Sequence, residues 1–167
     1  MGKDNIPFHT VIFPATLLGT GNPYTLLYQL STTEYLNYED GKFCKSRKVG
    51  VFGDDCLDLD VPSEIFRYYL LINRPEQGDS IFSWQDFQDK VNNDLLKNLG
   101  NFINRVLKFS FKYSCKAGEL LKEDMEIISQ FHEKTIEYCS LMEGCNLKQG
   151  LKQVIEMSSL GNKFLQD

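Results

Sequence analysis

Apolar side chains recur every three or four positions from Trp84 onward, at Trp84, Phe87, Val91, Leu95, Phe102, Val106 and Phe109. This spacing matches the 3.6-residue turn of an α-helix and predicts one long helix with a single buried stripe. Ser83-Trp84-Gln85-Asp86 reads as a capping box that opens it, with aspartate as the returning acid. Upstream, Pro62-Ser63-Glu64 predicts a helix start, with proline in the first turn and an acid near the positive end of the dipole. Phe66, Tyr69, Leu70 and Asn73 then share a face, and Arg74-Pro75 stops the helix. Two further helices are predicted at about 119–142 and 146–164, separated by Gly144 as a stop and Asn146 as a cap. Their stripes are Met125, Ile128, Phe131, Tyr138 and Met142, and Leu147, Leu151, Val154 and Ser158.

The first third of the chain has a different pattern. Gly2-Lys3-Asp4-Asn5 is a turn, and Pro7 opens a helix running to about Leu18, ended by Thr20-Gly21-Asn22-Pro23. Tyr35, Leu36 and Tyr38 suit a strand, with Glu39-Asp40-Gly41 as a hairpin turn. The fold expected is therefore mixed α/β followed by all-α, and mostly helical.

An apolar content of 42% over 167 residues is enough for a folded core. No run of about eighteen apolar residues crosses a membrane, and MGKDNIPFH has neither the layout of a signal peptide nor an acylation motif, Ile6 standing where serine or threonine is needed. Cys44, Cys56, Cys115, Cys139 and Cys145 are odd in number and form no Cys-x-x-Cys pair, which predicts reduced thiols and no metal site made by protein ligands. A cytoplasmic location follows.

The net charge of −5 argues against indiscriminate nucleic-acid binding, DNA included, but the charge is unevenly distributed. After Glu39-Asp40-Gly41 come Lys42, Lys45, Arg47 and Lys48, then the glycine-punctuated run Val49 to Gly53. Cations this close repel one another, so the loop is either a solvated basic turn or a seat for an anion, most naturally a phosphate chain. From Lys97 to Gly118 there is no acid, while Lys97, Asn101, Arg105, Lys108, Lys112 and Lys116 fall within about a third of the circumference at 100° per residue. That stripe is either an outward cationic face or a surface for RNA phosphates and bases.

Lys42-Phe43-Cys44-Lys45-Ser46 resembles the Lys-Met-Ser-Lys-Ser signature of class I aminoacyl-tRNA synthetases. The flanks TEYLNYEDGKF and KSRKVGVFGD, with GKDNIPFH, PSEIFRYYLL, FSW and NLGNFINR elsewhere, resemble methionyl-tRNA synthetase in its eukaryotic cytosolic form. The resemblance implies the second half of a Rossmann-type catalytic domain over 1–75 and an anticodon-binding helix bundle over 76–167. It implies ATP-dependent activation of methionine, with Mg2+ accompanying ATP as substrate, and transfer to tRNA(Met). Other synthetases or a multisynthetase complex are implied as further partners.

Carried over by resemblance, Lys45, Lys42 and Ser46 act on the phosphates. Gly2 and Asp4 approach the ATP ribose, and Leu36 offers its backbone to adenine. Phe8 and His9 line the methionine pocket, although the residues alone also allow His9 as a half-buried helix histidine. Asn101 and Arg105 face the anticodon. Two departures stand out: Cys44 replaces a serine and Lys48 a glycine. The His-x-Gly-His signature and the Asn-x-Pro-Trp stretch of the family are absent, His9 and His132 being the two histidines. The chain therefore reads as a fragment, inactive without the other half; the alternative is a non-catalytic helical module for tRNA binding or assembly.

Overall fold

A computed structural model describes the whole chain apart from Asp40, Cys115, Ala117, Asp167 and the side chain of Glu123. It divides into two compact units, one formed by residues 1–52 and 74–82 and the other by 53–73 and 83–167. As the sequence predicts, the chain is mostly helical with one small mixed sheet.

In the first unit, β1 (Leu36–Tyr38) runs antiparallel to β2 (Gly41–Lys42) and parallel to β3 (Ser80–Phe82). Glu39 turns the expected hairpin at φ 45°, and Asp40, also assigned to that turn, lies outside the described residues. β3 was not legible in the sequence. Its Leu36↔Ser80, Asn37↔Ile81 and Tyr38↔Phe82 register stacks the Phe82 ring on Tyr38, centroids 6.0 Å apart, and buries Phe82 to 3% exposure. The first helix begins as a π-turn, Phe8–Ile12, and becomes α-helical at α1 (Phe13–Gly19). Pro14 accounts for the change, because it has no N–H to donate and its ring crowds the carbonyl one turn back.

In the second unit, α2 (Gly53–Leu57) precedes α3 (Ser63–Ile72). The long helix is α4 (Trp84–Lys90), a π-helical stretch Val91–Gly100, and α5 (Asn101–Lys112). Phe66, Tyr69, Ile72 and Phe87 form the core, with Phe66 stacked on Phe87 at 4.9 Å and Trp84 edge-on to both. α6 (Lys122–Glu143) and α7 (Leu147–Phe164) close a helical hairpin, in which Gly150 lies against Met142 and Lys134 pairs with Glu156 at 2.7 Å.

Several local expectations are corrected. The capping box at Ser83 does not form. Instead the Ser83 N–H donates to the Tyr69 hydroxyl at 3.3 Å, and that hydroxyl donates to Asp86 at 2.8 Å, so the buried tyrosine stands between cap and acid. Asn146 makes no side-chain cap, and the left-handed step after α6 is taken by Cys145 at φ 59°, not by Gly144 at φ −75°. α6 starts at Lys122, where the Asp124 carboxylate accepts the Leu121 N–H at 2.7 Å. The apolar stripes are not buried to their ends: Val106, Phe109, Met125 and Ile128 are all exposed, and so is Leu70 on α3.

Candidate functional site

The site is built on the sheet of the first unit. The Gly2-Lys3-Asp4-Asn5 turn becomes a 3₁₀ turn, Lys3–Asn5, and is tied to the 31–35 segment by backbone bonds. Lys3 N–H donates to Thr33 O at 3.0 Å and Thr33 N–H to Met1 O at 2.8 Å, with Gly2 opposite Thr33 in a parallel bridge. A side chain at Gly2 would meet nothing, so this edge is open to a ligand.

Tyr35 joins the pieces, and sequence reasoning missed it. Its hydroxyl donates to the Asp4 carboxylate, the Lys3 ammonium lies 4.7 Å from its ring centre, and the Lys42 ammonium lies 6.0 Å from it. Lys3 also pairs with Glu34. The hydrogen bond to Asp4, reinforced by burial and by the carboxylate charge, raises the Tyr35 phenol above its ordinary value, which keeps it a donor. Its strand context was the one signal for it: Tyr35 precedes Leu36 of the central strand β1, and its side chain meets both Asp4 and Lys42.

Beyond β2 the chain makes a small closed turn. Cys44 and Val49 exchange two backbone hydrogen bonds of 2.8 and 3.0 Å, and within them Lys45–Arg47 form a 3₁₀ turn that Lys48 ends at φ 54°. Lys48 adopts the left-handed backbone that the usual glycine takes without strain. Lys45, Ser46, Arg47 and Lys48 are exposed, and among the described residues Lys42, Lys45, Arg47 and Lys48 make no ion pair. Arg47 Nε donates to Cys44 Sγ at 3.2 Å, and Ser46 Oγ lies 3.3 Å from the same sulfur. These contacts, the arginine first, lower the Cys44 thiol below its ordinary range.

Phe8 and His9 are exposed on the π-turn that follows the Asp4 turn. Asn101 and Arg105 are placed differently from a free cationic face. Asn101 Nδ2 donates to Asn162 Oδ1 at 3.1 Å, and Arg105 donates to the backbone oxygens of Asn162 and Leu165, at the C-terminal end of α7. The even stripe also assumed α-helical steps throughout. The π-helical stretch up to Gly100 alters the step at Lys97, which donates to Asn93 at 3.1 Å, and Lys116 lies beyond the end of α5. Among the described residues there is no cluster of three or more histidine, cysteine or acidic side chains able to hold a metal, and no helix long and apolar enough to cross a membrane. The described cysteines, Cys44, Cys56, Cys139 and Cys145, are free thiols.

The first unit thus carries a parallel strand pair, a hairpin and a basic turn that makes no ion pair among the described residues. The family model described as tRNA synthetases class I (M) matches residues 1–107, and the chain belongs to that family. Within it, the likeness is to methionine–tRNA ligases. The chain is 53% identical to a Dictyostelium discoideum protein named "Probable methionine--tRNA ligase, cytoplasmic", 51% identical to the cytoplasmic methionine–tRNA ligase of Arabidopsis thaliana and 46% identical to that of Saccharomyces cerevisiae. These alignments cover 100%, 99% and 100% of the chain, and 23%, 22% and 23% of the relatives. The chain thus spans under a quarter of the length of these curated relatives. A structure of Mycobacterium tuberculosis methionyl-tRNA synthetase in complex with methionyl-adenylate shares the fold, with a TM-score of 0.84 at 22% identity over 99% of this chain and 33% of that one.

Proposed function

We propose that this chain is the part of a methionine–tRNA ligase that grips the ATP phosphates and carries the anticodon-side helices, 1–75 serving catalysis and 76–167 the anticodon. The observation that carries the reading is the exposed turn Lys45–Lys48, whose cations have no acidic partner among the described residues and which directly follows β2, where Lys42 faces the same Tyr35 ring that bonds Asp4. Likeness to cytoplasmic methionine–tRNA ligases over the full chain supports it and supports a cytoplasmic location.

In this reading the methionine carboxylate attacks the α-phosphate of Mg-ATP, pyrophosphate leaves, and the aminoacyl group then passes to tRNA(Met). No protein nucleophile is required, so the chain's work is positioning and charge stabilisation. Lys45 meets charge developing on the leaving pyrophosphate, with Lys42 and Ser46 beside it. Asp4 and Gly2 receive the ribose, the Leu36 backbone receives adenine, and Phe8 with His9 contacts the methionine side chain. Asn101 and Arg105 read anticodon bases after exchanging their bonds to α7 for bonds to RNA. Other synthetases, or a multisynthetase complex, are the protein partners.

The test is methionine-dependent ATP–pyrophosphate exchange. In a full-length ligase carrying this segment, Lys45→Ala lowers the adenylation rate by roughly a hundredfold and leaves methionine affinity nearly unchanged. Equal losses in both assign Lys45 to ground-state binding. The 167-residue chain by itself, with no His-x-Gly-His in its sequence, gives no exchange.

A further inference from the structure

We propose that Phe43 and Gly50 form a latch that sets where the cations of the basic turn stand, making both positioning residues for the anion site. The inference rests on the phosphate-binding reading of that turn. Gly50 has φ 134°, a conformation that L side chains rarely adopt. The Phe43 ring fills the space that a side chain there would need: a Cβ on Gly50 would lie 2.3 Å from Phe43 Cδ1 and 2.9 Å from Cε1. Phe43 in turn packs 5.3 Å from Tyr38 and 6.2 Å, edge-on, from Phe52. Since Tyr38 stacks on Phe82, a row of rings runs from the buried end of β3 to the base of the turn.

Among the described residues, the rest of the turn is held by local bonds. The Cys44–Val49 backbone pair closes it, and Arg47 bonds back to Cys44 inside it. Lys45 and Lys48 make no described hydrogen bond or ion pair that would fix the turn against the sheet. The closed turn therefore moves as one piece whose aim depends on the Phe43 seat over Gly50. Filling that seat by one methyl displaces the ring and carries Lys45 with it, and misplacement by about an ångström is enough to lose up to a hundredfold in a positioned contact.

The experiment measures Cys44 alkylation by iodoacetamide, resolved by peptide mapping, on the full 167-residue chain with and without inorganic pyrophosphate. In the wild type pyrophosphate protects Cys44. Gly50→Ala changes the unprotected rate and weakens protection by roughly tenfold while leaving the helical circular dichroism intact. Phe43→Leu, which keeps apolar volume and removes the ring, moves both readouts the same way. Gly50→Ala also strains the backbone at φ 134° whether or not the ring is present, so Phe43→Leu is the variant that isolates the ring. Phe43→Leu with wild-type rate and protection overturns the latch, even where Gly50→Ala shows a loss or unfolds the chain. Absence of protection in the wild type refutes the phosphate reading instead, and the unprotected Cys44 rates of the variants still decide the latch.

Discussion

Arg105 Nη1 donates to the backbone oxygen of Asn162 at 3.1 Å, so an arginine one turn into α5 satisfies a carbonyl that α7 leaves open at its C-terminal end. Its second nitrogen reaches the Leu165 oxygen, three residues further on. The last carbonyls of any helix lack intrahelical donors, and a planar guanidinium can bridge two of them where a lysine cannot.

Arg105→Ala is expected to destabilise the chain by about 1–2 kcal/mol, read as a lower urea midpoint at unchanged slope. Arg105→Lys recovers less than half, since it keeps the charge and loses the fork. On the proposed anticodon role, in a full-length ligase carrying this segment Arg105→Ala is also expected to cost about 1–3 kcal/mol on cognate tRNA and little on an anticodon variant. Equal weakening on both tRNAs reduces Arg105 to the role of a helix clamp.

Two glycines of α7 separate tight packing from adaptable packing. A Cβ on Gly161 would lie 2.4 Å from the Phe102 ring, whereas one on Gly150 would lie 2.6 Å from the sulfur of Met142. Alanine gains up to about 1 kcal/mol of helix propensity at either site. A ring set between two helices moves less readily than a thioether with three rotatable bonds, so Gly161→Ala is expected to lose about 1–2 kcal/mol net and Gly150→Ala to be neutral or stabilising. Thermal midpoints of the two variants check this, and equal shifts refute it.

Asp86 accepts from Tyr69, Asn73 and Lys90 at 2.8–3.2 Å. Burial pushes its carboxyl upward, but the hydrogen bonds from Lys90, Tyr69 and Asn73 outweigh that, and the group ends below the ordinary carboxylate range. A depressed folded value means that its stabilisation is complete above the unfolded value, about pH 4, and is lost as the pH falls through the folded one. Asp86→Asn should lower the urea midpoint at pH 7 by about 1 kcal/mol equivalent, because the Lys90 pair is partly solvated. Its deficit should shrink below pH 4; a constant deficit refutes the assignment.

Cys44 should be alkylated faster than Cys139, although Cys139 is the more exposed thiol. Donation from Arg47 and then Ser46 holds Cys44 below its ordinary range, so its rate rises at a lower pH than that of a free thiol, about 8.5. Arg47→Ala should return the midpoint of the pH–rate profile toward that value. A profile unmoved by the substitution removes the arginine as the cause.

What the sequence by itself determined is what short-range rules and motif order carry. Helical periodicity located the long helix, α3 and the α6–α7 hairpin, because burying one face repeats a side-chain type every three or four residues. Glu39 and Gly41 marked the hairpin, and Lys42 to Ser46, in order with the flanking blocks, pointed to the family before any coordinates did. The tertiary structure alone decided the rest. β3 is three residues long, too short for alternation to register, and exists because Tyr38 and Phe82 stack across it. Tyr35 became a site residue through a bond to Asp4, 31 positions away. The π-helical stretch up to Gly100 broke a stripe drawn at 100° per residue, and Asn101 and Arg105 turned out to be engaged by Asn162, which no local pattern encodes. Each of these depends on which groups meet across long sequence separations, and a hydrogen bond or stacked ring leaves no periodic trace in the chain that makes it.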